Sequence, residues 1–425
     1  MNDAALVGRI LREYHHRGPG PAAVHRVSGS VHGDSVTYLV DPGDGDRLMV
    51  RASRADAPVQ VQFRAPGSLT MLDWLVTRAA TLTCLERGGY PAPRLIRTRA
   101  GDPVGVDGVW LTLASTYIPG TVLQPTLDQL GMLGGAVGRL HAMDPGVLAA
   151  PEAPGPPGAG GAGGAAGGGG ATAAFGAFGA VPDAGEGAGP GRAAWYPEAA
   201  IPVTQARLDA VADLVPDDWL GMFEQFRQAI LAVQARLDTL PRGLVHGDAW
   251  PANAVQTRPD AITLIDWETG GLGLPILDLG QCLLECLLNV TRAGAGAGAD
   301  GPAGSGPGGA STAAEAAEVW EPEAWDPAVW RVQPDESRIA AVAAGYTAWR
   351  VLTPDEHALL LPAIRFGAAY VGAIHFEQAL AGGVRGPAMD ARLDRLRNRL
   401  AVSEAVARLA ARHLPTGAQD AETVR

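Results

Sequence analysis

The chain has 425 residues, 47% of them hydrophobic and 18% charged, with a formal net charge of −12. That length suggests two or three domains, and the acidic balance argues against a nucleic-acid partner. Cys84, Cys282 and Cys286 have neither the even number nor the spacing of a disulfide framework and read as buried free thiols.

In chain order, MNDAALVGRILREYHHR has helical periodicity and lacks a signal-peptide core. HRVSGSVHGDSVTYLV (25–40) reads as strand, glycine-containing turn, strand, and DPGDGD (41–46) as a hairpin turn leading into the strand RLMVRAS. VWLTLASTYIPG (109–120) closes the strand-rich part. Beyond it, apolar residues recur at helical spacing in 125–143, 216–237, 275–288 and 335–350, and in a pair of helices from 354 to 412. The most apolar run, 359–376, contains Pro362, Arg365 and His375, so it is expected to be a buried helix. No membrane is expected, and the chain is placed in the cytoplasm. Residues 151–192 and 292–313 are too rich in Gly, Ala and Pro to bury a core and read as flexible insertions; 414–425 reads as a loose tail.

The chemistry concentrates in LVHGDAWPAN (244–253) and AITLIDWE (261–268). Asp248 and Asn253 stand five apart, so one loop aims both side chains into one cleft. AVQT and ITLI flank an RPDA turn, a hairpin that folds Asp266 back beside Asn253. A carboxylate that accepts a hydroxyl proton, an amide oxygen and a second carboxylate for Mg²⁺ are the groups a phosphoryl transfer needs. His246 is expected to pack under the loop and bond backbone.

On LVHGDAWPAN and LIDWETGGLGLPILDLGQCL the chain resembles the aminoglycoside phosphotransferase and choline kinase superfamily, small-molecule kinases with a protein-kinase-like fold. The resemblance implies an α+β, two-lobed fold: a small β-rich N-lobe over 1–114, a hinge at 115–120, and a large helical C-lobe over 121–413 with the catalytic segment at 244–280. It implies that Asp248 is the catalytic base and that Asn253 and Asp266 ligate Mg²⁺ beneath ATP or GTP. Asp278 matches an acid that buttresses the catalytic loop; by itself it reads as a first-turn helix acid after Pro275. Glu268 reads either as part of the second metal shell or as a solvated turn residue.

Two departures concern the small lobe. The family places a lysine on the third strand, but the chain has no lysine: all 33 basic residues are arginine, and Arg51 is the one occupant for that place. The acid that steadies this cation is expected near position 78, which is Arg78, with Asp73 the nearest candidate partner. Gly29, Ser30 and Gly33 are expected to turn backbone N–H groups toward phosphates, and Ser115 to Tyr117 to meet adenine.

Residues 1–120 hold 13 Arg against 11 Asp and Glu, so the remainder carries the acidity. An acidic large lobe favours a cationic acceptor such as an aminoglycoside or amino alcohol, and equally serves solubility. The expected function is transfer of the γ-phosphate of a nucleotide to a small-molecule hydroxyl, in antibiotic resistance or in metabolism, with no protein partner implied. A pseudokinase or nucleotide-binding regulatory protein of the same fold is the alternative.

Overall fold

The computed structural model describes residues 3–14, 23–29, 35–43, 46–56, 70–144, 196–286, 288–292, 330–383 and 386–417. Helix α1 (Asp3–Glu13) precedes strands β1 (Ala23–Gly29), β2 (Ser35–Asp41) and β3 (Leu48–Arg54), then α2 (Met71–Arg87), β4 (Leu95–Ile96), β5 (Gly105–Asp107) and β6 (Trp110–Thr116). These strands form one antiparallel sheet in the order β1-β2-β3-β6-β4, with β5 also on β6. The two-residue period of β3 decides what each face receives. Val50 and Ala52 point at α1, where they bury with Leu6, Val7, Ile10, Leu11 and Tyr14. Arg51 points the other way, toward Trp74 of α2.

The sheet extends past the boundary expected at residue 114. Ser115 pairs with Met49 and with Leu95, and Thr116 with Leu48, so the expected hinge begins inside a paired strand.

The rest of the chain is mostly helical: α3 (Leu127–His141), α4 (Tyr196–Val211), α5 (Asp217–Gln234), α6 (Pro275–Cys286), α7 (Glu336–Thr347), α8 (Pro354–Ala358), α9 (Leu360–Phe376) and α10 (Pro387–His413). Three short ribbons accompany them. β7 (Thr121–Val122), β9 (Ala254–Arg258) and β10 (Ala261–Leu264) form one, β8 (Gly243–Val245) with β11 (Gly271–Gly273) another, and β12 (Leu288–Arg292) with β13 (Trp330–Pro334) the third. α9 is apolar nearly all round, as a central helix must be; Ala363, Ile364, Ala369, Ala373 and Phe376 are fully buried. Trp219, Phe223 and Phe226 meet the ring of Phe376 edge-on at 5.6 to 6.2 Å. Among the described residues no helix is long and apolar enough to cross a membrane.

The insertion expected at 151–192 lies outside the described residues, as does 292–313 apart from Arg292, which ends β12. The tail differs from expectation at its start. Leu414 is fully buried, Thr416 bridges to Leu352 and the Gly417 N–H donates to the Leu352 carbonyl at 3.3 Å, so the chain stays attached to the fold up to Gly417; 418–425 lie outside the described residues. Cys84 and Cys282 are buried thiols that form no disulfide.

α3 and α7 approach closely because glycines line the seam. A methyl group at Gly134 would strike the backbone of Val342, one at Gly138 would sit 2.5 Å from the Tyr346 carbonyl oxygen, and one at Gly345 would overlap the Gly131 carbonyl. Overpacking costs about 1–3 kcal/mol where neighbours cannot yield, and backbone yields least. Gly345→Ala is therefore expected to lower unfolding free energy by about that amount. Urea denaturation checks it, and wild-type stability in the variant would contradict the tight seam.

Candidate active site

The site is assembled by short-range turns joined across the β8–β11 ribbon. Leaving β8, the chain enters 246–253; leaving β10, it enters 266–270 and returns as β11 against β8. The two loops are also stitched directly: Ile265 donates its N–H to the Asn253 carbonyl at 2.9 Å, and the Thr269 hydroxyl donates to the His246 carbonyl at 2.9 Å. The expected hairpin is present, with Arg258 opposite Ala261 across the Pro259-Asp260 turn.

Two backbone positions make the loops possible. Gly247 has φ +77°, and a Cβ there would lie 2.7 Å from the Thr269 carbonyl oxygen, so both conformation and space require glycine. Asp266, at φ 60°, is the non-glycine residue with positive φ among the described residues. Aspartate tolerates this left-handed region better than most residues, and it turns the carboxylate out of the line of β10.

Asp278 anchors the 246–253 loop from the first turn of α6. One carboxylate oxygen accepts the His246 N–H at 2.8 Å and the His141 Nε2–H at 2.9 Å, and the other accepts the Gly247 N–H at 2.8 Å. Burial works to raise its pKa, but the hydrogen bonds from His141 and from the His246 backbone win and hold it below the usual carboxylate range. Both sequence readings of this residue thus apply at once: a first-turn acid and a loop anchor. Because the carboxylate can only accept, His141 carries its hydrogen on Nε2, and its Nδ1 accepts from the Tyr346 hydroxyl at 3.0 Å. Tyr346 accepts in turn from Arg350 at 2.9 Å, and Arg350 donates to fully buried Glu356 at 2.7 Å.

His246 packs under the loop as expected. Its Nε2–H donates to the Ile265 carbonyl at 2.8 Å and its ring lies 4.5 Å from that of Trp267, while Nδ1 accepts the Asp248 N–H at 3.3 Å. Burial pushes its pKa below the ordinary value against the pull of Asp278, so it is a neutral structural ring.

Asp248 is partly exposed and its carboxylate is oriented by two amides. Asn253 Nδ2 donates to Oδ2 at 2.7 Å and to the Asp248 carbonyl at 2.9 Å; Gln281 Nε2 donates to Oδ1 at 3.0 Å. With its amide hydrogens committed to Asp248, Asn253 has Oδ1 left for another role. Gln281 was not singled out from sequence; its signal is position, three residues beyond Asp278 on the same face of α6.

The site suits a hard divalent cation. Among the described residues no cluster of three or more His, Cys, Asp or Glu is placed to hold a metal. The amide oxygen of Asn253 and the carboxylate of Asp266 are the oxygen donors on offer, and Mg²⁺ commonly takes one or two protein ligands and completes its shell with water and phosphates.

On the sheet side, Arg51 pairs with Glu268 and stacks over Trp74 at 4.8 Å; burial draws its pKa down to about 10, while nearby Asp266 pulls the other way, so it stays charged at neutral pH. Glu268 thereby faces a cation while its side chain stays 30% exposed. Asp73 does not reach Arg51. Its carboxylate is spent locally, accepting the Thr70 N–H at 3.0 Å and hydroxyl at 2.6 Å in the capping box that starts α2. Arg78, buried in mid-helix, donates to the carbonyls of Trp267 at 3.1 Å and Gly270 at 2.8 Å. Its role was not foreseen; a strongly polar residue amid the apolar run of α2 was the available signal.

The remaining expected nucleotide contacts are less complete. Gly29 ends β1 opposite Val36, while Ser30 and Gly33 lie outside the described residues. The Tyr117 N–H donates to the Arg47 carbonyl at 2.9 Å and the Thr116 N–H to Arg94 at 2.9 Å, so these two donors serve the chain's own sheet. Ser115 is held between β3 and β4.

Removing the acceptor beneath the catalytic loop tests its anchoring. Asp278→Asn places an amide where two backbone donors and His141 converge, and breaking such a buried set costs about 3–5 kcal/mol. The variant should unfold at correspondingly lower urea concentration, and an unchanged midpoint would refute the anchor.

The sequence model of the phosphotransferase enzyme family matches residues 29–319. None of the curated proteins searched matches the chain. Among solved structures it is similar to an amicoumacin kinase in complex with AMP-PNP, Ca²⁺ and Ami, at 13% identity and TM-score 0.55, covering 95% of this chain and 94% of that one. It is also similar to the microcompartment-associated aminopropanol kinase (16%, TM-score 0.50, 97% and 99% covered) and to a spectinomycin phosphotransferase in complex with ADP and spectinomycin (11%, TM-score 0.51, 97% and 99% covered). At these identities the likeness speaks for the fold, a protein-kinase-like pair of lobes, one β-rich and one helical. Fold and family match together show that the chain belongs to the phosphotransferase enzyme family of small-molecule kinases.

Proposed function

We propose that the chain transfers the γ-phosphoryl group of ATP or GTP to a hydroxyl of a small molecule, with Asp248 as base and Mg²⁺ held by Asn253 and Asp266. One observation carries the reading: the Asp248 carboxylate is fixed by Asn253 and Gln281 on a loop whose backbone is anchored by buried Asp278. An ionised carboxylate has about four lone-pair sites, so one oriented by amide donors can still receive the acceptor's proton. Bound Mg²⁺ supplies charge neutralisation at the phosphates. Arg51 adds a fixed positive charge on the sheet side, and its fork can pair with phosphate oxygens.

For the acceptor we infer a hydroxylated amine, an antibiotic or an amino alcohol. The named neighbours act on or bind amicoumacin, aminopropanol and spectinomycin, and the acidity of this chain beyond residue 120 would attract a cation. A second reading, a nucleotide-binding regulatory protein, draws on the commitment of Arg51 to Glu268. The intact Asp248, Asn253 and Asp266 set favours catalysis.

A mass-spectrometric screen for phosphoryl gain, with Mg²⁺ and ATP or GTP across aminoglycosides, other hydroxylated antibiotics, amino alcohols and amino sugars, tests the reading. Asp248→Asn is expected to slow transfer by about 10²–10⁴-fold with nucleotide binding nearly intact; undiminished turnover would rule out Asp248 as base. Asp266→Ala is expected to abolish the Mg²⁺ dependence of nucleotide binding, measured by calorimetry. Unchanged Mg²⁺-ATP affinity would remove Asp266 from the metal site.

A further inference from the structure

Two cations reach from the sheet side to the segment that carries Asp266, and each grips it differently. Arg51 leaves β3 and pairs with the Glu268 carboxylate; its side chain is 16% exposed. Arg78 leaves α2 and holds the backbone of the same segment at both ends, through the carbonyls of Trp267 and Gly270. Both guanidinium groups lie over the Trp74 ring, at 4.8 and 5.6 Å. α2 brings no acid to Arg51, because Asp73 is consumed by the helix cap and Arg78 occupies the middle of the helix.

We propose that Glu268 is the positioning residue for Arg51, supplying from the metal-binding loop the carboxylate that the small-lobe helix lacks, with Arg78 fixing that loop to α2. The inference rests on the nucleotide site proposed above and deepens it. An arginine side chain has many rotamers, so presenting its fork to phosphate requires an anchor. Glu268 anchors it two residues from Asp266, so the anchor of the phosphate-binding cation and the metal-binding carboxylate belong to one turn. Glu268 gives Arg51 a paired carboxylate in addition to the nearby charge of Asp266. The charge pattern of the site is thus permuted: the acid sits on the loop and the cation on the helix.

The experiment is a double-mutant cycle on the full chain, reading ADP affinity by calorimetry with Mg²⁺ and again in EDTA, for wild type, Arg51→Gln, Glu268→Gln and the double variant. Glu268→Gln is expected to weaken ADP about tenfold in both conditions, and the double variant to bind no more weakly than Arg51→Gln alone, since Glu268 acts through Arg51. Glu268→Asp, which keeps the charge, should recover part of the loss, and thermal melts matching wild type separate positioning from misfolding. A loss seen only with Mg²⁺ would make Glu268 a metal-shell residue and overturn the proposal, as would losses that multiply in the double variant or no loss at all. ADP binding that obeys the cycle in a chain that phosphorylates nothing would sink the proposed catalysis and leave the role of Glu268 standing. Transfer that depends on Asp248 while the losses multiply would do the reverse. Failure of the wild-type chain to bind ADP would overturn both.

Discussion

A buried carboxylate that collects two consecutive backbone N–H groups and an imidazole N–H determines where the loop carrying Asp248 and Asn253 can be. Asp278 sits in the first turn of α6, and the three donors it binds belong to His246, Gly247 and His141. Each donor would be left unsatisfied in the interior without it, so the loop has one low-energy position rather than several. The same helix places Gln281 on the other carboxylate that matters, that of Asp248. Anchor and orienting group therefore move together as parts of one element.

The anchor is itself backed by a chain of hydrogen bonds. From Asp278 it passes through His141 on α3 and Tyr346 on α7 to Arg350 and Glu356, and Glu356 also accepts the Thr353 N–H at the start of α8. That chain depends on how near α3 and α7 lie to each other. Gly131, Gly134, Gly138 and Gly345 let the two backbones touch, and the hydroxyl of Tyr346 then meets His141 at 3.0 Å. Side chains on the seam would move the helices apart and strain a hydrogen bond one step from the loop that Asp278 anchors. The glycines, which bear no polar side chain, are a condition of that anchoring.

Much of this was legible in sequence where local rules suffice. The β9–β10 hairpin follows from apolar runs around a Pro-Asp turn, and α3, α5, α7 and α9 follow from periodicity. Asp248, Asn253 and Asp266 could be brought together on paper because only a loop and a hairpin separate them. What escaped depends on long-range partners. β8 and β11 are three residues each, bounded by glycine, and exist because they pair with one another across the loops. α4 carries Pro202 inside it, which masks its periodicity. Asp73 looked like the acid for Arg51 because sequence distance ignores the helix cap that claims it. Arg78 and Gln281 have ordinary helical positions, and only the folded chain reveals what faces them.

The stacking of two guanidinium groups over Trp74 has an optical consequence. Indole emission responds to nearby charge, and this ring lies under Arg51 at 4.8 Å and Arg78 at 5.6 Å. Trp74 is thus a built-in reporter of where the positive charge stands.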